Sequence, residues 1–300
     1  MFMKKSIYYL ISLMLIGGLF IVSCNNEEDK DKKEDIKDTG DVTLSENNTE
    51  TFYLVPSPKD IFGFTDDKHL TFNLELLNPI ENTESYIDSK SNELNFGVYA
   101  ADLAYAAAFQ KGNETVNYLT VVRQLSDKIG ISAVFNESLT KRIENLTNNK
   151  DSLISVSSDT YFDIIRYLEK NERISTLAFI ATGGWLESLY IVTSVTEYEE
   201  GNKTVQAIAD QKIVFSNLIM YLEQNQEDES IREVLDKLMP IKEIYDALEV
   251  INIEDHPKTD DNEKIVVGGS AKISITEEQF NKLKQTISDI RNNFTGNDVQ

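Results

Sequence analysis

Two long apolar segments, each interrupted by a single carboxylate, restrict this chain more than any other feature. Between Asn92 and Gln110, Leu94, Phe96, Val98, Tyr99, Leu103, Tyr105 and Phe109 are interleaved with alanines at 100, 101, 104, 106, 107 and 108. Asp102 is the only charge between Glu93 and Lys111. Between Ser175 and Val195 lie Leu177, Phe179, Ile180, Trp185, Leu186, Leu189, Ile191 and Val192, and Glu187 is the only charge between Arg173 and Glu197. Helices apolar nearly all round belong in a core. Gly183 and Gly184 in the second segment each cost a helix about 1 kcal/mol relative to alanine. Close approach of a neighbouring helix would offset that cost; a break into two helices is the other solution.

An ionised carboxylate buried without a partner is very costly, so Asp102 and Glu187 must be paired, protonated or beside a water-filled cavity. If the two helices pack together, the acids share a cleft with Tyr99, Tyr105, Trp185 and Tyr190. Two such acids with displaced pKa values can act as acid and base on a glycoside, and the aromatics can stack on a sugar or peptide. The simpler reading is structural. Asp102 then accepts hydrogen bonds from tyrosines or a helix terminus, and Glu187 meets a cation such as Arg123 or Arg166.

The remaining pattern is also helical. Ser57-Pro58 reads as a helix start, and Asn78-Pro79 as a turn with Asn82 capping a short helix through Ser89. Gly112-Asn113 should end the first core helix. A stripe of Tyr118, Val122, Leu125 and Ile129 predicts a helix over Thr115–Ile129, stopped by Gly130. Further helices are predicted over Asn136–Leu146, Asp151–Glu169, Thr204–Leu222 and Ser230–Val250, the last kinked or split at Pro240. Ile265–Val267 and Ala271–Ile273 flank Gly268-Gly269-Ser270 as a small β-hairpin. Thr276-Glu-Glu-Gln279 is a capping box, opening an amphipathic helix with Phe280, Leu283, Ile287, Ile290 and Phe294 on one stripe. The fold class is therefore mainly α: an antiparallel helical bundle or a short αα-superhelix, with one β-hairpin near the C-terminus.

Conventional catalytic and metal motifs are missing from the sequence. His69 and His256 lie in polar segments without neighbours at ligand spacing, and there is no HExxH, GxSxG, Walker loop or GxGxxG. The acidic stretch Asp255–Glu263 offers oxygen ligands for a hard cation but lacks EF-hand spacing, and an ordinary solvated loop is the simpler reading. Neither a resident metal nor a cofactor is expected. The formal charge of −22 repels nucleic acid, so DNA or RNA is not an expected partner.

The N-terminus points to a place in the cell. Lys4 and Lys5 precede an uncharged apolar run, Ile7 to Val22, followed by Ser23 and by Cys24, the only cysteine. The run is shorter than the roughly 20 residues that span a bilayer. An ordinary secretory signal shares the charged start and apolar run, but Ile21-Val22-Ser23-Cys24 resembles the lipobox of bacterial lipoproteins. That resemblance implies cleavage before Cys24, a diacylglyceryl group on its sulfur, an acyl chain such as palmitate on its freed amino group, and attachment to the cell envelope. Asn25 to Thr51 is charge-dense and too polar to order itself by burial, which predicts a flexible tether. Its acidic start resembles the surface-export signal of lipoproteins from the Bacteroidetes group, implying the outer membrane and outward display; a tether facing the periplasm is the alternative. The helical body resembles uncharacterised helical lipoproteins of that group.

The expected organisation is a signal peptide over 1–23, a lipid-anchored tether over 24–51 and one helical domain over 52–300. The expected role is a non-enzymatic binding or scaffold module with an envelope protein or ligand as partner. The alternatives are a helical hydrolase using Asp102 and Glu187, and a domain holding a small ligand in an apolar pocket near Trp185.

Overall fold

The core begins where two helices come into backbone contact. In the computed structural model, which describes residues 71–135, 139, 141, 142, 145, 150–253 and 270–296, α1 spans Ser89–Ala108 and α4 spans Ile174–Val195. Their packing is the most extensive between any two described elements. A Cβ on Gly97 of α1 would lie 2.2 Å from the Ile180 carbonyl oxygen, and one on Gly183 of α4 would lie 1.9 Å from that of Leu94. Only glycine permits so close a crossing. The anticipated compensation for Gly183-Gly184 is therefore met, and α4 is unbroken.

The other helices gather round this pair. They are α2 (Gly112–Lys128), α3 (Lys150–Lys170), α5 (Lys203–Gln224), α6 (Glu229–Asp246) and α7 (Glu277–Thr295). Because α4 touches α1, α3, α5, α6 and α7, the arrangement is a bundle about a central pair rather than a superhelical row. Length and composition would allow α4 to cross a membrane, but 78% of its apolar window is buried inside the protein, as a core helix requires. Leu139, Lys141, Arg142 and Asn145, between α2 and α3, are helical.

Local chemistry accounts for the ends. The Asp88 side chain accepts from the Ser91 N–H to start α1, and Asn202 and Asp228 cap α5 and α6. The capping box at Thr276 forms as anticipated, and α7 ends on Gly296 at φ 72°. Gly130, at φ 72°, follows α2 in the left-handed conformation.

Several boundaries differ from expectation. Gln110, at φ 55°, makes the reversal after α1, and Gly112 opens α2 instead of ending α1. Pro79–Ser85 forms a single 3₁₀ turn, Ile80–Glu84, and Asn82 lies inside it. Pro240 sits within α6 without splitting it. Helix α6 stops at Asp246, and Glu249–Ile253 becomes strand β1, antiparallel to β2 (Ser270–Ser274), with Glu249 opposite Ser274 and Ile253 opposite Ser270. The expected hairpin therefore has a different first strand: Val250 and Ile251 are β-branched and suit a pleated edge better than a helix end. Ile265–Val267, the Ser57-Pro58 helix start, Cys24, the tether, His69, His256 and the acidic stretch 255–263 lie outside the described residues.

Before α1, residues 71–88 form a strap over the helices. It contains two 3₁₀ turns, Leu74–Leu76 and Ile80–Glu84. Leu77 and Asn78 between them are buried.

Candidate functional site

The glycine crossing decides where the two acids go. Asp102 lies a little more than one turn beyond Gly97, and Glu187 one turn beyond Gly183, so close approach of the backbones buries both carboxylates between the helices. Each has 0% of its surface exposed. The partner of Glu187 is Arg291 of α7, itself 4% exposed. Its Nε donates to Glu187 Oε2 at 2.7 Å and its Nη2 to Oε1 at 2.9 Å. This two-pronged geometry is the strong form of a charge-assisted hydrogen bond. The guanidinium also lies 4.6 Å from the Tyr190 ring centroid, a cation–π contact. Its Nη2 donates again, to the Leu76 carbonyl of the strap at 3.3 Å. Burial pulls the Arg291 pKa down, but the adjacent Glu187 carboxylate outweighs that and holds it above its usual value.

The expected cations, Arg123 and Arg166, are not the partners. Both are exposed, and Arg166 pairs with Asp163 on its own helix. A signal for Arg291 was present in the sequence. It stands four residues after Ile287 on the stripe of Phe280, Leu283 and Phe294, and a helix residue at that spacing shares the buried face.

Asp102 sits differently. Its Oδ2 accepts from the Asn78 backbone N–H at 3.1 Å, while its Oδ1 meets no donor among the described residues. The Glu187 carboxylate is a close neighbour that acts on the Asp102 carboxyl. Burial, and after it the negative charge of Glu187, push the Asp102 carboxyl well above the usual carboxylate range, against the downward pull of Arg291 and the Asn78 N–H.

Tyrosines bind the strap to the helices beside this cluster. Tyr99 donates to the Pro79 carbonyl at 2.7 Å and Tyr118 to that of Asn78 at 3.0 Å. Asn78 Nδ2 donates to the Tyr86 hydroxyl at 2.9 Å, which donates to the Thr295 carbonyl at 3.2 Å. Burial pushes the phenols of Tyr86, Tyr99 and Tyr118 upward, so each remains a hydroxyl donor at neutral pH. Tyr105 donates to the Thr71 carbonyl at 3.2 Å and accepts from the Asn73 N–H at 3.0 Å, with Phe72 stacked on its ring.

The six residues anticipated to share one cleft are thus divided. Tyr99 and Tyr190 stand beside the Asp102–Glu187–Arg291 cluster. Tyr105 holds the start of the strap. Trp185 points elsewhere: its Nε1 donates to Gln211 Oε1 at 3.2 Å and its ring stacks on Phe215 with centroids 4.6 Å apart. Helical geometry explains this, since residues two apart on a helix lie about 200° apart around its axis. A cavity of about 310 Å³ lies at the α3–α4 turn and the start of α6, lined by Arg173, Ser175, Thr176 and Asp228 among others, and Trp185 is not part of its lining. Four of its polar side chains are engaged in hydrogen bonds. Arg173 Nη2 and Thr176 Oγ1 both donate to Glu93 Oε1, and Ser175 Oγ donates to Asp228 Oδ2 at 2.5 Å. The described residues contain no cluster of three His, Cys, Asp or Glu able to hold a metal. Compared with protein-family models, with curated proteins and with solved structures, the chain finds no match in any of the three.

Proposed function

We propose that this protein is a lipid-anchored, non-catalytic binding or scaffold module of the cell envelope. Cys24, behind its charged and apolar leader, carries the anchor. The acidic tether then holds the helical body away from an outer membrane, facing outward. Its partner is another envelope protein or a ligand rather than nucleic acid, which the negative charge repels.

One observation carries the non-catalytic half of this reading. Asp102 and Glu187, the acids a hydrolase would have to present to substrate, have no exposed surface. A glycosidase keeps its two carboxyls on either side of a bond it must first admit. Here the space around Glu187 is taken by the guanidinium of Arg291 and the space around Asp102 by the strap backbone.

Metabolic labelling with an alkyne-tagged fatty acid tests the anchor. The native protein should take up label and partition with membranes, and Cys24→Ser should lose both. Unlabelled native protein, or a mature chain that keeps residues 1–23, would overturn it. Protease shaving of intact cells distinguishes outward from inward display. Retention of any glycan- or peptide-cleaving activity present in the native protein by an Asp102→Asn, Glu187→Gln pair would exclude the two acids as its catalysts.

A further inference from the structure

The buried cluster holds two carboxyls and one guanidinium, and this count leaves a charge to be balanced. Both strong donors of Arg291 are directed at Glu187. Among the described residues, Asp102 receives one neutral N–H, from Asn78, on Oδ2 and no donor on Oδ1. Ionised, its Oδ1 would be a fully buried lone-pair site next to a second negative carboxylate, the costliest arrangement a core can contain. Protonated on Oδ1, Asp102 becomes a donor. The cluster is then neutral and every strong donor has an acceptor.

Among the described residues, the surroundings offer no other cation. Near Asp102 are Glu187 and Tyr190 from α4, Arg291 from α7, Tyr99 from its own helix and Tyr118 from α2, with Tyr86 of the strap next to Tyr99 and Glu81 of the strap acting on Tyr118. Helix α3 turns Asp159, Asp163, Arg166 and Lys170 to solvent, and its Glu169 acts on Tyr221 instead.

We infer that Asp102 is held as a neutral carboxylic acid whose single proton bridges it to Glu187, and that this proton latches the strap, residues 71–88, onto the helices. The strap forms the lid. Asn78 N–H bonds Asp102 directly, Leu76 carbonyl bonds Arg291, and Pro79 and Asn78 carbonyls bond Tyr99 and Tyr118. Lifting it admits water to Asp102, which then loses its proton. Docking of the strap takes up that proton, and release of the strap gives it back.

The sign follows from linkage. The carboxyl is raised in the closed state, so its contribution is fully present below the unfolded carboxylate range, near pH 4, and is lost as pH rises toward the closed-state value. One linked proton weakens the closed state about tenfold per pH unit in that window. Asp102→Asn mimics the protonated acid: its amide N–H can donate to Glu187 and its oxygen can still accept from Asn78. This variant should fold, lose that one-proton dependence, and gain relative to the native protein as pH rises.

The test uses the full chain, with ¹³C-carboxyl NMR for the proton and hydrogen exchange at the Asn78 amide, corrected for intrinsic rate, for the strap. We expect Asp102 to resonate as the neutral acid at pH 7. Protection at Asn78 should fall about tenfold per pH unit more steeply in the native protein than in Asp102→Asn. An ionised Asp102 at pH 7 overturns the inference, and this titration needs no variant. A protonated Asp102 with equal pH slopes for Asn78 in the two proteins overturns the latch. Neither outcome depends on the anchor or on the proposed role.

Discussion

The two faces of α4 hold their neighbours by different means. Toward α1, α7 and the strap it presents Glu187, Tyr190 and the glycine crossing, and the contacts there are directional: a two-pronged ion pair, a cation–π contact and a carboxyl beside a carboxylate. Toward α5 and α6 it presents Trp185, stacked on Phe215 and near Tyr245, with Gln211 accepting the indole N–H. The second face is held by area and shape, which tolerate substitutions that conserve volume. The first is held by atom-to-atom pairing, which does not tolerate the loss of one partner. The strap therefore has a specified seat. Its backbone is caught by fixed donors and acceptors, most of them side chains of the helices, whereas few of its own side chains are buried.

The directional face of α4 is most vulnerable at Arg291. Arg291→Ala strands Glu187 in the core and should cost about 3–5 kcal/mol in urea unfolding. Replacing Glu187 and Arg291 together by Leu and Met should recover most of the loss, because a well-packed apolar pair often does as well as a buried ion pair. Failure of that rescue would mean that the contacts of Arg291 with Leu76 and Tyr190 matter more than its charge.

On the opposite face, Trp185→Ala removes a large buried ring, and large-to-small core substitutions of this kind cost roughly 3–5 kcal/mol. That loss should vary little with pH, and Trp185→Phe should recover much of it. A strong pH dependence for Trp185→Ala would show that the faces are not independent.

A smaller effect sharpens the contrast at the crossing itself. In Gly183→Ala the added methyl meets the Leu94 carbonyl, so α1 and α4 must separate. Overpacking of this kind costs about 1–3 kcal/mol, partly offset by the helix propensity of alanine, about 1 kcal/mol. The separation should also loosen the neighbouring acid cluster, read as faster exchange at the Asn78 amide. Gly184→Ala should be milder, since its added atom would come no closer than 3.4 Å to Gly97.

Much of this was legible in the residues. Apolar spacing located α4 and α7 almost to their ends, and the capping box at Thr276 and the stop at Gly130 are local chemistry that any context preserves. The requirement that Asp102 and Glu187 be paired or protonated followed from desolvation alone. The strand at Glu249–Ile253 was not legible, because the apolar stripe of α6 runs on to Leu248 and only pairing with Ser270–Ser274 makes an extended backbone favourable just beyond it. The strap was missed because its hold on the helices runs mainly through backbone groups, which every sequence shares.

Sequence alone determined that the chain would be helical, that two of its helices would be core, and that two lone acids would need an answer inside the fold. Tertiary structure decided what that answer is. A partner more than a hundred residues away along the chain, the rotation that sends Trp185 one way and Glu187 another, and the seat of the strap all depend on how whole helices cross. The crossing is set by backbone contact at Gly97 and Gly183, a three-dimensional match between segments far apart in the chain that no local pattern records.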